Sequence, residues 1–222
     1  ILAVASIIIA VLLGFFLGII SGIYNGTWVD KTIQLISTVG MSVPSFFSAI
    51  LFSWIFGYLL NAHTNLNMTG SLYELDDFGE GAQLQIKNLI LPAFVLGIRP
   101  LAVIVQLVRS GLIEVMSQDY IRTAKAKGLS PLSVIYKHVL KNSLNPVITA
   151  VSGWFASMLA GAVFVEYIFG WRGIGKEIVT ALNTLDIPVV MGSVLIIATL
   201  FIIINIFVDL LYVVIDPQVK PF

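Results

Sequence analysis

The amino-acid sequence predicts an all-α integral membrane protein. Hydrophobic residues make up 58% of the 222 and charged residues only 11%. Mean hydropathy is +1.00. The charge deficit is not spread evenly: it is concentrated in long charge-poor runs separated by short polar stretches. A soluble domain carries roughly 25% charged residues. Unbroken apolar runs of about 20 residues are what a bilayer requires of a spanning helix.

Five spans are expected, in a single transmembrane domain covering residues 1–222. Residues 1–22 carry no charge and would reach about 33 Å as a helix, enough to cross the hydrocarbon. The uncharged stretch 32–62 is too long for one straight crossing, so Pro44 is expected to kink it or to mark where an interfacial lead-in becomes the span. The remaining spans are placed at about 88–108, 147–168 and 188–215. Gly14, Gly18 and Gly22 recur every four residues along the first span, as do Gly153, Ser157 and Gly161 along the fourth. Small residues at this spacing let helix backbones approach closely, and packing within the bundle is the reading preferred for both stripes over a subunit interface.

Basic residues set the orientation. The 109–146 loop carries Arg109, Arg122, Lys125, Lys127, Lys137 and Lys141, and Lys31 and Lys220 fall on the same side, against Lys87, Arg172 and Lys176 opposite. Eight against three puts that loop and the C-terminus in the cytoplasm of a bacterial or archaeal cell, with loops 63–87 and 169–187 outside. Residue 1 then starts externally, so an additional helix is expected before it. The loop 63–87, with Glu74, Asp76, Asp77 and Glu80, reads as solvated. Residues 171–186 place Ile174, Ile178, Ala181, Leu182 and Leu185 at helical spacing, an amphipathic helix expected to lie at the membrane surface with Trp171 as its anchor.

Net charge is zero, which favours neither nucleic acid nor an acidic substrate. With no cysteine in the chain, disulfides, thiolate metal sites and a cysteine nucleophile are excluded. His63 and His138 are too far apart in sequence to suggest a metal site, and no metal is expected. His-Glu-x-x-His, Gly-x-Ser-x-Gly and a Gly-rich Lys-Ser/Thr phosphate loop are all missing from the sequence, so neither a membrane enzyme nor an ATPase is read here.

The most specific segment is Asp119-Tyr-Ile-Arg-Thr-Ala-Lys-Ala-Lys-Gly128-Leu-Ser-Pro131. Asp119 is placed as the cap of a helix with Tyr120, Ile121 and Ala124 on one face. Gly128 is placed to end it in the left-handed conformation. Ser130-Pro131 restarts a helix whose apolar stripe is Leu132, Ile135, Val139 and Leu140. Basic loops can simply satisfy anionic lipid. A glycine stop followed by a Ser-Pro restart is better suited to docking a protein.

Arg122-Thr-Ala-Lys-Ala-Lys-Gly128 resembles the EAA-type loop of ABC importer permeases, and the longer form, with His138-Val-Leu-Lys-Asn142 and Asn145-Pro-Val-Ile-Thr149, resembles the oligopeptide/dipeptide/nickel class. Glu166-Tyr-Ile-Phe169, Trp171-Arg-Gly-Ile-Gly175 and Asp186-Ile-Pro-Val-Val190 are similar to that class's loop between its last two helices, and Asn205-Ile-Phe-Val-Asp-Leu-Leu-Tyr212 with Asp216-Pro217 to its C-terminal signature. Arg122 stands where the general motif has Glu. The resemblance implies a type I ABC importer permease-like bundle of six helices, the first preceding residue 1 here. It implies coupling to a cytoplasmic ATPase through Tyr120, Arg122, Thr123, Ala124, Ala126, Lys127 and Gly128, with Ala124 small so that the ATPase can approach. It further implies a second homologous permease subunit, two ATPase subunits that bind ATP and magnesium, an extracytoplasmic binding protein, and no cofactor in this chain. Oligopeptide or dipeptide is the expected substrate, nickel or another small solute the alternative.

Four polar residues lie at or near membrane depth, where ionisable groups suggest function by default. Asn205 and Asp209 are four apart on one helical face and are read as an interhelical hydrogen-bond pair in preference to an ion site. Arg99, before Pro100, is a candidate for an aqueous pathway or an anionic substrate group; Glu166 is a candidate contact for substrate or partner. An ion-coupled secondary transporter is the rival reading, but it calls for an internal repeat and paired broken spans that the sequence does not display.

Overall fold

The computed structural model describes residues 1–75, 81–128, 133 and 140–215. The expected Ser130-Pro131 restart, with Leu132, Ile135 and Val139, lies outside the described residues, as do Asp76, Asp77, Glu80, Asp216 and Lys220.

The elements, in chain order, are α1 (Leu2–Ile23), α2 (Trp28–Ser42), α3 (Ser45–Phe52), which continues as a π-helix over Ser53–Leu59, and α4 (Asn61–Thr64). Strands β1 (Tyr73–Leu75) and β2 (Ala82–Leu84) follow, then α5 (Lys87–Met116), α6 (Asp119–Ala126), α7 (Leu140–Gly161), α8 (Val163–Phe169), α9 (Ile174–Asn183) and α10 (Ile187–Ile215). Among the described residues α1, α5 and α10 are long and apolar enough to cross a membrane, and α2 with the helix after it makes a fourth span if the two are taken as one broken crossing.

The first, third and fifth expected spans are therefore continuous helices; the second and fourth are interrupted. Helix α2 stops before Pro44, because the proline ring disfavours helix in the residue before it and supplies no N–H to continue the ladder; Pro44 itself is extended (φ −59°, ψ 139°) as the cap residue of α3. The expected span 147–168 divides at Ala162, between α7 and α8, and the apolar helix within it is Pro146–Phe155.

The chain forms two compact units. Among the described residues, one comprises 8–42, 98–128, 133, 140–153 and 212–215. Its core is Ala10, Ile104, Val108 and Val147, with Val11, Phe15, Leu101 and Val151 packed around it. The glycine stripe of α1 runs along α5. A Cβ on Gly14 would stand 2.8 Å from Ile104, one on Gly18 2.7 Å from Val108, and one on Gly22 3.0 Å from Leu112. The two four-residue registers mesh, as expected for packing within the bundle. The other stripe does not do this: nothing described lies within 4 Å of a Cβ on Gly153, and Ser157 is exposed.

The second unit comprises 1–7, 43–97 and 154–211. Phe52 packs on Phe56 and Phe94, each at 5.5 Å between ring centroids, and Phe46 on Phe164 at 6.3 Å. The described parts of the 63–87 stretch, 63–75 and 81–87, carry structure of their own. Its strands pair antiparallel with Tyr73 opposite Leu84, and buried Asn88 donates to the Ser71 carbonyl and the Glu74 carboxylate, both at 3.0 Å, while accepting from Asn67 at 2.8 Å. The Ser53 hydroxyl donates to the Met68 carbonyl (2.8 Å), and Gly57 lets the Met68 backbone lie where a Cβ would be (2.6 Å).

Two of the α1 glycines predict a graded response. The space at Gly18 is bounded partly by the Val105 carbonyl oxygen (3.0 Å), whereas the nearest atoms at Gly22 are all of the Leu112 side chain. Gly18→Ala should lower stability by about 1–3 kcal/mol and Gly22→Ala by clearly less, read as the shift in apparent Tm in detergent. Equal shifts would mean that α1 does not sit on α5 at this distance.

Candidate functional site

Helix α6 is short and joins α5 through only Ser117 and Gln118, whose main chain begins the next turn: the Ile121 amide donates to the Gln118 carbonyl (3.1 Å). Eight residues cannot hold a helix unaided in water. The support is an apolar face, with Ile121 (0% exposed) and Ala124 (7%) packed on Leu112 and Val115 of α5 and flanked by Ile19 and Met116. The opposite face is open. Tyr120 is 43% exposed, and Arg122, Thr123, Ala126, Lys127 and Gly128 are exposed. Arg122 approaches the Asp119 carboxylate at 3.5 Å, both side chains almost fully in solvent, so the pair contributes little to stability.

One expectation changes here. Ala124 turns inward, so its small size suits the chain's own α5. Gly128 conforms: its φ is +83°, and nothing lies within 4 Å of a Cβ placed on it. The demand at 128 is therefore for backbone conformation, since space is not limiting.

Beside this helix α5 carries an ion pair. Arg109 Nε and Nη2 donate to the two carboxylate oxygens of Asp30 at 2.7 and 2.8 Å. Asp30 is 2% exposed and also accepts from the Ser21 hydroxyl (2.6 Å) and the Gly26 amide (2.8 Å). Arg109 Nη2 further donates to Asn25 (2.8 Å), and Gln34 donates to Ser21 (3.1 Å). One carboxylate thus ties together the end of α1, the 24–27 turn, α2 and α5. A bidentate pair with its remaining lone pairs satisfied is the arrangement in which a buried charge is tolerable, and removal of one partner costs on the order of 3–5 kcal/mol.

The expected membrane polar residues are used locally. Arg99 Nε donates to the Met41 carbonyl (3.4 Å), in the last turn of α2, where carbonyls lack helical partners and a cation is favoured. The Asn205 amide donates to the Phe201 carbonyl one turn earlier on α10 (2.8 Å). The Asp209 side chain lies outside the described residues. Glu166 caps α9, its carboxylate accepting from the Gly175 amide (2.7 Å). A Cβ on Gly173 would coincide with that carboxylate, and one on Gly175 would sit 2.5 Å from the Val163 backbone, so both glycines are required for α9 to start against α8. Trp171, expected at the lipid boundary, is 6% exposed. The helix after it is shorter than expected, Ile174–Asn183, because Gly173 and the Glu166 cap fix its start. Beside them is a cavity of roughly 420 Å³ lined by Ser71, Tyr73, Glu166, Trp171 and Arg172 with apolar residues of α7 and α10.

The model of the "Binding-protein-dependent transport system inner membrane component" family matches residues 14–221. The chain belongs to this family. It is 40% identical to the dipeptide transport system permease protein DppB of Alkalihalophilus pseudofirmus, over 99% of this chain and 70% of that one. It is 42% identical to DppB of Haemophilus influenzae, over 93% and 66%. The di/tripeptide transport system permease protein DppB of Pseudomonas aeruginosa is 36% identical, over 99% and 69%. The chain thus spans about two thirds of the length of these relatives. Among solved structures, a chain of the MetNI methionine ABC transporter in an inward-facing conformation superposes with a TM-score of 0.68 at 14% identity, covering 97% of this chain and 93% of that one. The fold is that of a type I ABC importer permease, and the chain is a multi-pass membrane protein of a transport family, not of an enzyme family.

In this permease fold the residues that sequence reading missed are those whose partners lie far away in the chain. Asp30 and Arg109 are 79 positions apart, and Asn88 reaches back 17 to Ser71. The available signal was the Asp30-Lys31 pair, set between two charge-free stretches, 1–29 and 32–62. The Glu166 cap yields a test. Gly173→Ala should displace the carboxylate and destabilise by about 1–3 kcal/mol, with faster amide exchange at the start of α9. Glu166→Gln, which keeps an acceptor oxygen, should exchange more slowly there than Glu166→Ala. If the two Glu166 variants exchange alike, the carboxylate is not the cap.

Proposed function

We propose that this chain is a pore-forming permease subunit of an ATP-driven, binding-protein-dependent importer of dipeptides or short oligopeptides. The reading rests on the relatives that cover nearly the whole chain, which are named dipeptide and di/tripeptide permeases. It includes a second permease subunit, two cytoplasmic ATPase subunits that bind ATP and magnesium, and an external binding protein; this chain itself binds no cofactor. Helix α6 is the docking element. The support for that role is its division of labour: Ile121 and Ala124 fasten it to α5, while Tyr120, Arg122, Thr123, Lys127 and Gly128 face outward. A helix that is to receive force needs such a fixed back and an open front. The loop 109–146 and the C-terminus lie in the cytoplasm on this reading, and the β1–β2 ribbon outside.

Two experiments test it. The chain has no native cysteine, so single cysteines report sidedness cleanly. In intact cells Ala82→Cys should react with an impermeant maleimide, and Ser117→Cys only after permeabilisation; the reverse pattern would overturn the orientation. In proteoliposomes holding the complete transporter, labelled dipeptide uptake should fall about tenfold in Gly128→Val. A branched side chain at positive φ costs roughly 1–2 kcal/mol, and 1.4 kcal/mol is a factor of ten. Gly128→Asn, which enters that region more readily, should stay near wild type with equal amounts inserted. Equal uptake by both variants would remove Gly128 from coupling, and uptake of nickel in place of dipeptide would reassign the substrate.

A further inference from the structure

We propose that the Asp30–Arg109 ion pair is a positioning element for coupling. It makes α6 and the membrane helices α1, α2 and α5 move as one body, so that a displacement of α6 is passed on undiminished. This rests on the proposed function, in which α6 receives that displacement from an ATPase.

The two halves of the connection meet at adjacent residues. On α1, Ser21 donates to Asp30, and the next residue, Gly22, admits Leu112 to within 3.0 Å of where its Cβ would be. On α5, Arg109 holds Asp30 at 2.7 Å, and Leu112, three residues on and so on the same helix face, packs in the cluster that holds Ile121 and Ala124 of α6. Ile19 of α1 packs on that cluster too and also on the core around Ile104 and Val108. The apolar contact alone fastens α6 to α5 and α1. Helix α2 is brought in by the carboxylate, through four donors contributed by Arg109, Ser21 and the Gly26 amide.

Apolar contacts between helices are non-directional and tolerate small shifts of one surface on the other. A guanidinium fork on a buried carboxylate has one geometry. Loss of the fork should therefore reduce transmission of motion more than it reduces assembly. Asp30 and Arg109 touch neither ATPase nor substrate on this reading; they act by holding the elements that do.

The test uses the complete transporter in proteoliposomes, with dipeptide transported per ATP hydrolysed as the readout. Asp30→Asn keeps the shape and removes the charge, and should lower that ratio roughly three- to tenfold while the complex still assembles and hydrolyses ATP. Arg109→Lys keeps the charge without the fork and should fall between that variant and wild type. A second measurement holds if Asp30→Asn fails to fold: spin labels at Asp119→Cys on α6 and Trp28→Cys on α2, in otherwise wild-type chain, should give the same distance with and without bound ATP. A distance that changes with nucleotide, or an Asp30→Asn complex with the wild-type ratio, overturns the proposal while leaving the importer reading intact. A wild-type complex without ATP-driven dipeptide uptake overturns both.

Discussion

Helix α1 lies on α5 with no side chain of its own at Gly14, Gly18 and Gly22, where Ile104, Val108 and Leu112 of α5 fill the space, and the membrane part of this molecule depends on that approach. Lipid tails are as apolar as leucine, so burying a side chain against another helix gains little over leaving it in the bilayer. Helices are held together there by dispersion at close range, which requires small residues in register with larger ones, and by polar groups that find their partners inside the protein. Ile104, Val108 and Leu112 supply the larger members, each four residues from the next. The same register sets the contact with α6: Leu112 reaches the α6 cluster only because Gly22 lets it stand where it does.

The second requirement, satisfaction of polar groups, explains several residues that sequence reasoning treats as signs of function. A charged or amide side chain at membrane depth is costly and invites a functional reading. Here Arg99 meets a helix-end carbonyl, Asn205 its own helix one turn back, and Glu166 the first turn of α9. Arg99 and Glu166 each serve a place where a break has left the backbone short of a partner: the end of α2 before Pro44, and the turn between α8 and α9. The breaks and these polar residues belong together. The protein interrupts its helices and then repairs the interruption with a side chain.

Much of the fold was legible because periodicity and length carry it. Residues 1–22 form α1 almost to the residue, the expected span 88–108 falls within α5, and 188–215 within α10. The EAA-type segment was legible as a helix closed by a glycine, and Gly128 has the positive φ that its position asked for. What the sequence could not give was direction. Periodicity puts Ile121 and Ala124 on one face, but whether that face meets a partner or the chain's own α5 is decided by residues 109–116, which no local pattern connects to it. The same holds for Asp30: an isolated carboxylate reads as a cap or a surface charge until an arginine 79 residues away is found beside it. Trp171 was misplaced for a related reason. An interfacial tryptophan and a buried one look alike unless the neighbouring glycines are read as space for another chain segment, as Gly173 and Gly175 prove to be.

The inward turn of Ala124 also alters how the motif is understood. A small residue in a docking helix is naturally read as room for the partner. In this chain it is room for α5: a larger side chain at 124 would press on Leu112 and Val115 and lift the helix from its base, a packing strain in a closely filled cluster. A helix of eight residues has too few internal hydrogen bonds to be stiff on its own. Its stiffness is borrowed from the long helix beneath it, through the residues that an isolated motif would have assigned to the partner. The small residue Ala124 keeps the helix seated, and Gly128, at positive φ, ends it where the chain must turn.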